Sequence, residues 1–263
     1  MALRRYSPRM DWNDADQREA FFAVHSDLPR EGPGNAASTH RALDLAVAAG
    51  AEPVGTVVDF GSGPGEHSRL IAERLPEAAV LAVDLHPPFL CRAGQQNHRM
   101  LPLRADMARP PLREGRVDLV WSEAAIYSIG VERALDAWAP LLRSGGVVAF
   151  SECVWLTRAP SARAKEFWTA YPGMRHRDDW SAAFEQRALE EVSRFLLPRE
   201  AWWDGYYAPL EERLERLEVE RAGNAAAALV FAECREEIAF WRAEGSDPER
   251  ASYGYSFYIL RKR

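Results

Sequence analysis

The chain has little lysine, few cysteines and no long hydrophobic run. Lys165 and Lys262 are the only lysines among 33 basic residues, and 39 acidic residues outnumber these to give a net charge of −6. That balance argues against a dedicated nucleic-acid or anionic-membrane binder, because such proteins normally present a basic face. The three cysteines are scattered and form no C-x-x-C pair, which argues against a disulfide framework, a zinc ribbon or an iron–sulfur site.

Long apolar segments are also missing. The longest nearly apolar run, Ala225–Ala232, is too short to cross a bilayer, and the basic N-terminus leads into polar residues. We therefore expect a cytoplasmic protein, monomeric or homodimeric, that binds neither membrane nor nucleic acid. The histidines show no metal-ligand spacing, so no metal site is expected.

Short apolar runs alternate with helix-like stretches between residues 36 and 152. Near-continuous apolar strands separated by helices indicate a parallel sheet covered on both faces, which is a doubly wound α/β core. The predicted helices are 36–49, 67–75 and 131–142, and the predicted strands are 57–60, 80–84, 101–105, 117–121 and 147–150.

The second half of the chain is richer in Ala, Glu, Arg and aromatic residues. Residues 160–190 and 208–245 have helical patterns, whereas 192–197 and 253–260 have strand patterns. No linker or repeat divides the chain, so we expect a single domain over residues 1–263. Its parts are an N-terminal cap segment (1–35), a core (36–152), a helical lid region with one strand (153–250) and a terminal strand (253–263).

A glycine-rich turn follows the first predicted strand. The segment Val57–Glu66 reads VVDFGSGPGE, so a hydrophobic strand leads through glycines into a helix, and glycines there let a ligand approach the backbone closely. Asp84, followed by Leu85, ends the second strand about 20 residues later, where an acid can bind the hydroxyls of a ribose. Asp106 and Met107 end the third strand and are placed to contact an adenine.

The identity of residue 66 separates the possible adenosine cofactors. A dinucleotide fingerprint requires glycine there, whereas this chain has Glu66, which would repel a pyrophosphate. No Gly-Lys-Ser or Gly-Lys-Thr of a phosphate-binding loop occurs either. A cofactor with an amino-acid tail and a sulfonium, S-adenosylmethionine, fits the turn.

The ordered segments 57–65, 83–84, 105–107, 118–122 and 141–146 resemble class I S-adenosylmethionine-dependent methyltransferases. The resemblance implies a Rossmann-like, doubly wound, seven-stranded and mostly parallel sheet with an antiparallel last strand, plus an aromatic-rich helical lid insertion. The segments 28–34, 121–130, 222–224 and 253–263 also resemble a narrower, largely uncharacterised bacterial group that methylates small molecules. The cofactor-binding residues implied by the family are Asp59, Gly61, Ser62, Gly63, Gly65, Asp84, Leu85, Asp106 and Met107.

Groups after the fourth strand are expected at the methyl end of the cofactor. Ser122 and Glu123 are candidate cofactor contacts, and Glu123, Tyr127 and His25 are the catalytic candidates, although Glu123 is equally expected to do no more than cap a turn. Arg30 in the N-terminal segment is a candidate partner for the methionine carboxylate. His67 and His86 are assigned to a helix surface and a turn.

Several aromatic residues follow predicted strand ends in the lid region. The substrate candidates are Tyr127, Trp155, Trp202, Trp203, Tyr206 and Tyr207. Aromatic residues at helical spacing are more often core residues, but a lid usually covers the acceptor, which favours an apolar or aromatic small molecule.

Three alternatives remain open at this stage. The acceptor could be a protein or RNA, although no strong basic patch supports RNA. The protein could bind S-adenosylmethionine without catalysis. A nicotinamide-dependent oxidoreductase is disfavoured by Glu66 and by the lack of a Tyr-x-x-x-Lys pair in a helix.

Overall fold

The computed structural model describes residues 10–25, 28–51, 53–97 and 99–263. The strands are β1 Thr56–Phe60, β2 Ala79–Asp84, β3 Met100–Arg104, β4 Val117–Ser122, β5 Leu142–Trp155, β6 Leu189–Leu196 and β7 Tyr253–Lys262. The α-helices are α1 Ala15–His25, α2 Ala36–Ala46, α3 Glu66–Arg74, α4 Pro87–Gln96, α5 Val131–Trp138, α6 Ala162–Phe167, α7 Ser181–Glu185, α8 Arg199–Trp202, α9 Ala208–Glu220 and α10 Ala225–Phe240. Within these described ranges, no helix is both long and apolar enough to span a bilayer.

The seven strands form one sheet in the order β3-β2-β1-β4-β5-β7-β6. Strands β1 to β5 pair in parallel, whereas β7 is antiparallel to both β5 and β6. This confirms the predicted Rossmann-like sheet with an antiparallel last strand. The carboxyl ends of β1, β2 and β4 meet at one edge, where the strand order reverses beside β1, and ligands of open α/β sheets bind at such an edge.

Two hydrophobic clusters cover the two faces of the sheet. One contains Leu43 of α2, Phe231 of α10 and Trp121 of β4. The other contains Leu135 of α5, Phe184 of α7 and Phe150 of β5. The strands read as nearly continuous apolar runs because both of their faces are buried.

Local sequence signals fix several helix starts. The Asn35 side chain accepts a hydrogen bond from the Ser38 backbone N–H (2.8 Å) at the start of α2, and Asn224 accepts one from Ala227 (3.0 Å) at the start of α10. These contacts satisfy backbone donors that the first helical turn leaves without partners.

Some predicted elements were incomplete. Helices α1 and α4 were not predicted, and residues 160–190 contain only short helices. Strand β5 is much longer than the predicted 147–150, because it pairs with β7 as far as Trp155 and because Leu142 pairs with Val117 of β4. Between Leu142 and Val147 the register with β4 shifts, and Gly145 has a φ of +74°.

The N-terminal segment packs closely on the lid region. Helix α1 packs against α9 and α10, and Arg213 of α9 donates to the Ala23 carbonyl of α1 at 2.9 Å. The Gly34 N–H donates to the Ala201 carbonyl at 2.9 Å, and Gly205 has no space for a Cβ because the Gly34 carbonyl oxygen occupies it.

Candidate functional site

The glycine turn lies between β1 and α3 and is held by its own hydrogen bonds. Gly61 and Ser62 donate to the Val83 carbonyl (2.8 and 3.1 Å), Gly63 donates to an Asp84 carboxylate oxygen (3.0 Å), and Gly65 donates to the Ser62 carbonyl (3.0 Å). These N–H groups are therefore engaged within the protein. They do not form the open anion-binding cradle that a pyrophosphate requires.

Gly61 is at a position that excludes any side chain. Its φ is +70°, and an added Cβ would collide with the Cβ of Ala125. Gly115 has a similar φ of +67° but nothing within 4 Å of an added Cβ. Alanine substitutions at these two positions therefore separate the free-energy cost of backbone strain from that of the steric clash.

We expect Gly61→Ala to lower the free energy of unfolding by about 3 kcal/mol, the sum of left-handed backbone strain and overpacking. Gly115→Ala is the matched control and should cost about 1 kcal/mol, because it adds backbone strain alone. Urea unfolding of both variants measures the difference. Equal losses in the two variants would show that the contact with Ala125 is unimportant.

Asp84 is fixed at the carboxyl end of β2. One of its carboxylate oxygens accepts from Gly63 N–H, and the other accepts from His86 N–H at 2.8 Å. Each oxygen retains a further lone pair for a ligand. The exposed Leu85 follows directly, and Asp106 at the end of the next loop accepts from Ala108 N–H at 2.8 Å.

A cavity of about 240 Å³ opens in front of the turn. Most of the predicted cofactor residues line it: Gly61, Ser62, Gly63, Asp84, Leu85, Asp106, Met107, Glu123 and Arg30. Asp59, Gly65 and Ser122 lie outside this lining, so their contacts with a cofactor stay predictions. Asp59 lies behind the turn and accepts from the Ser68 hydroxyl (2.6 Å), and Ser122 donates to the Phe60 carbonyl (2.9 Å).

Burial determines the protonation of Asp59. Desolvation raises the pKa of this fully buried carboxyl to about 7, against the lowering effect of the Ser68 hydrogen bond. Asp59 thus supports the start of α3 from below the turn, and its carboxyl is only partly ionised at neutral pH.

Glu123 is the centre of a buried polar network after β4. Its carboxylate accepts hydrogen bonds from the Thr39 hydroxyl (2.8 Å) and the Trp121 indole N–H (3.0 Å), and it forms an ion pair with Arg30 (3.1 Å). Residue 124, an alanine at the left-handed φ of 49°, follows immediately, and strained backbone of this kind concentrates at functional sites. Glu123 therefore connects β4, α2 and the N-terminal segment, so it does more than cap a turn.

The catalytic candidate His25 is the last residue of α1 and lines the cavity. Its Nδ1 lies 3.1 Å from a Glu31 carboxylate oxygen, and its ring packs against Phe21 at 4.3 Å between centroids. A carboxylate at Nδ1 orients an imidazole and favours the tautomer with the proton at that nitrogen. His25 is thus held as a base would be held.

His67 corrects the sequence interpretation. It is buried, lines the cavity, and lies 3.5 Å from the Glu123 carboxylate. Desolvation lowers the pKa of its imidazole to about 4, so the ring is neutral at pH 7. Proximity to the glycine turn was visible in the sequence, but the burial of this face of α3 was not.

A second cavity, of about 720 Å³, lies between the N-terminal segment and the lid region. Phe21, His25 and Tyr127 line both cavities, so the two share a wall. Of the predicted substrate residues, Tyr127, Trp202 and Tyr207 line the larger cavity, whereas Trp155, Trp203 and Tyr206 line neither. Trp203 instead stacks on Trp241 at 5.7 Å, and Tyr206 is buried in the core.

Sequence reasoning missed other lining residues of the larger cavity. They are Trp168, Tyr171, Phe240, Tyr253, Tyr255 and the acidic Glu237. The aromatic excess of this region was the available signal. It could not say which rings point inward, since this depends on how α10 and β7 pack.

Residues 58–150 match the family model described as a methyltransferase domain. The match contains the glycine turn, Asp84, Asp106 and Glu123, on the sheet topology described above. Residues 58–150 form a class I S-adenosylmethionine-dependent methyltransferase domain. This confirms the family that the sequence motifs resemble.

Curated relatives of this methyltransferase domain act on different acceptors. A malonyl-[acyl-carrier protein] O-methyltransferase of Pseudescherichia vulneris is 32% identical over 139 residues, which are 52% of this chain and 53% of the relative. A trans-aconitate 2-methyltransferase of Deinococcus radiodurans is 37% identical over 111 residues, which are 41% and 42% of the two chains. The chain thus spans about half the length of the curated relatives it matches.

The fold extends beyond the matched residues. A methyltransferase of Geobacter sulfurreducens, solved with S-adenosyl-L-homocysteine, superposes with a TM-score of 0.76 at 19% identity, over 93% of this chain and 98% of that one. The N-terminal helix and the lid region therefore belong to a fold that the two proteins share over nearly the whole chain.

Proposed function

We propose that the protein transfers a methyl group from S-adenosylmethionine to a small-molecule acceptor. The observation that carries this proposal is the pair of adjoining cavities. The smaller is lined by the glycine turn and Asp84, and the larger by the lid region, with Phe21, His25 and Tyr127 common to both. One cavity is suited to a cofactor and the other to an acceptor that reacts across the shared wall.

Two buried atoms support the fit of the cofactor to the smaller cavity. Ser62 Oγ and His67 Nδ1 have no hydrogen-bond partner among the described residues, and both side chains line the cavity. Polar atoms left buried in this way are costly, so they call for a polar ligand. The amino and carboxylate groups of a methionine tail supply suitable partners, and Arg30 is placed to balance the negative charge of the carboxylate.

The remaining assignments follow the carboxyl ends of the strands. Asp84 would bind the ribose hydroxyls through its remaining lone pairs, while Asp106 and Met107 would contact the adenine amine and ring. When bound, the cofactor supplies an electrophilic methyl group on a sulfonium. The residues of the chain then need to align the acceptor, exclude water and, for some acceptors, remove a proton.

Glu123 is a positioning residue in this proposal. Its carboxylate is already engaged by Thr39, Trp121 and Arg30, so it is poorly placed to accept a proton from an acceptor. Tyr127 and His25, at the wall shared by both cavities, are the better catalytic candidates.

Ligand-dependent thermal unfolding tests the proposal. S-adenosylmethionine and S-adenosylhomocysteine, each at about 100 times its dissociation constant, should stabilise the protein by about 2.7 kcal/mol and raise the melting temperature. NADH should produce no shift, since the N–H groups of the glycine turn are engaged and Glu66 stands at the start of α3. A shift with NADH alone would overturn the proposal in favour of an oxidoreductase.

A further inference from the structure

Glu237 is an acidic residue on the wall of the larger cavity. Glu237 of α10 accepts a hydrogen bond from the Tyr207 hydroxyl at 3.0 Å. No arginine or lysine of the described chain forms an ion pair with it, although His25 interacts with it electrostatically. Burial raises the pKa of Glu237. An unpaired carboxylate facing a cavity is costly unless a ligand compensates its charge.

A second acid lies directly behind the same cavity. Glu152 of β5 is fully buried and accepts from the Cys153 N–H (2.6 Å) and from the hydroxyl of Tyr171 (3.1 Å), whose ring lines the cavity. Desolvation raises the pKa of Glu152 to about 8. Glu152 is therefore mostly protonated at pH 7, and Glu237 is the one of these two acids that lines the cavity.

Aromatic rings make up much of the remaining wall. The cavity is lined by Phe21, Tyr127, Trp168, Trp202, Phe240 and Tyr253. The face of an aromatic ring is electron-rich and attracts organic cations, most strongly in a desolvated site. Arg163 also lines the cavity, and its guanidinium carbon lies 6.0 Å from the centroid of the Phe240 ring. The protein therefore already places one cation over an aromatic ring of this wall.

We propose that the acceptor is an organic amine that enters the larger cavity as an ammonium ion, between Glu237 and the aromatic wall. This inference rests on the proposed function and specifies its substrate class. It adds a positive charge to the expected apolar or aromatic acceptor, because the lining is acidic as well as aromatic. A carboxylate acceptor would meet electrostatic repulsion from Glu237.

An ammonium ion beside the Glu237 carboxylate can lose a proton to it before the methyl group is transferred. The ammonium gives one proton to the Glu237 carboxylate, which leaves a neutral amine with its lone pair. That lone pair forms the new nitrogen–carbon bond to the methyl group, while the electron pair of the breaking carbon–sulfur bond passes to sulfur. The products are a methylated ammonium, a neutral thioether and a protonated Glu237, which returns its proton to solvent.

Three probes of similar shape test the inference: 2-phenylethylamine, 2-phenylethanol and 3-phenylpropionate. We expect the amine to bind the protein, with S-adenosylhomocysteine present, at least tenfold more tightly than the alcohol or the acid in calorimetric titrations. Glu237→Gln should weaken amine binding about tenfold, the equivalent of about 1.4 kcal/mol, and leave alcohol binding unchanged. Glutamine retains an oxygen for the Tyr207 hydroxyl, so the fold should persist.

Glu212→Gln serves as the control, because it removes one negative charge from an exposed position on α9 outside the cavity. It should bind the amine as the unmodified protein does. The inference would be overturned if the three probes bound equally, if none of them bound, or if the acid bound more tightly than the amine. An unchanged affinity of Glu237→Gln for the amine would overturn it as well. Titration of S-adenosylhomocysteine alone reports separately on the proposed function, so the two failures are distinguishable.

Discussion

Replacing Glu123 with alanine should lower the free energy of unfolding by about 3–5 kcal/mol, the cost of breaking a buried ion pair by removing one partner. The Arg30 side chain is only 5% exposed and would lose the carboxylate that lies 3.1 Å away. The Thr39 hydroxyl and the Trp121 indole would lose their acceptor as well. Urea unfolding measures the loss.

Two further variants test whether the lost ion pair causes the loss of stability in Glu123→Ala. Glu123→Gln keeps an acceptor oxygen but removes the charge. Its free energy of unfolding should therefore lie between those of the native protein and Glu123→Ala. Glu132→Ala removes a half-exposed glutamate that pairs with Arg175 at 3.0 Å, and exposed pairs of this kind contribute less than about 1 kcal/mol. A loss in Glu123→Ala no larger than that in Glu132→Ala would contradict the central position of Glu123 in the network.

Replacing Asp84 with alanine should weaken binding of S-adenosylhomocysteine about 100-fold. Hydrogen bonds to a charged group contribute about 1.5–3 kcal/mol each, and 2.7 kcal/mol corresponds to a factor of 100 in the dissociation constant. Two ribose hydroxyls bound by one carboxylate would account for that loss. Calorimetric titration of the purified variant measures it.

The control separates ligand contacts from the shape of the turn. Asp84→Asn retains an oxygen for Gly63 or His86 and should preserve the turn, yet lose most of the affinity with the charge. Asp106→Ala alters an exposed acid in the same cavity and should cost about tenfold, since it removes a single contact. Retention of affinity within threefold by Asp84→Ala would rule out its ribose-binding role.

The edge of the sheet that carries the glycine turn was predictable because its sequence signals are local. A buried strand, a glycine turn and an acid after the next strand specify one edge of a parallel sheet, whatever the rest of the chain does. The direction of the Asp59 side chain could not be predicted from the sequence. Asp59 belongs to the same motif, but its side chain points beneath the turn toward Ser68, and this direction depends on how α3 packs against the sheet.

Other parts of the two cavities depend on contacts between distant parts of the chain. Arg30 and Glu123, which line the smaller cavity, lie 93 residues apart and meet only because the N-terminal segment packs at the end of β4. Trp202 lines the larger cavity, whereas its neighbour Trp203 stacks on Trp241. The sequence spacing predicts that both tryptophans lie in the lid region. It does not predict the π-helical turn at Trp203–Tyr207, and so it could not tell which of the two side chains faces the cavity.

The wall shared by the two cavities has a thermodynamic consequence. Phe21, His25 and Tyr127 line both cavities, so an occupant of one cavity that displaces them changes the free energy of filling the other. Such linkage is reciprocal: the factor by which one ligand alters the affinity for its neighbour equals the factor in the opposite direction. Helix α1, which carries two of these residues, is thus the element through which the binding of one ligand can regulate the binding of the other.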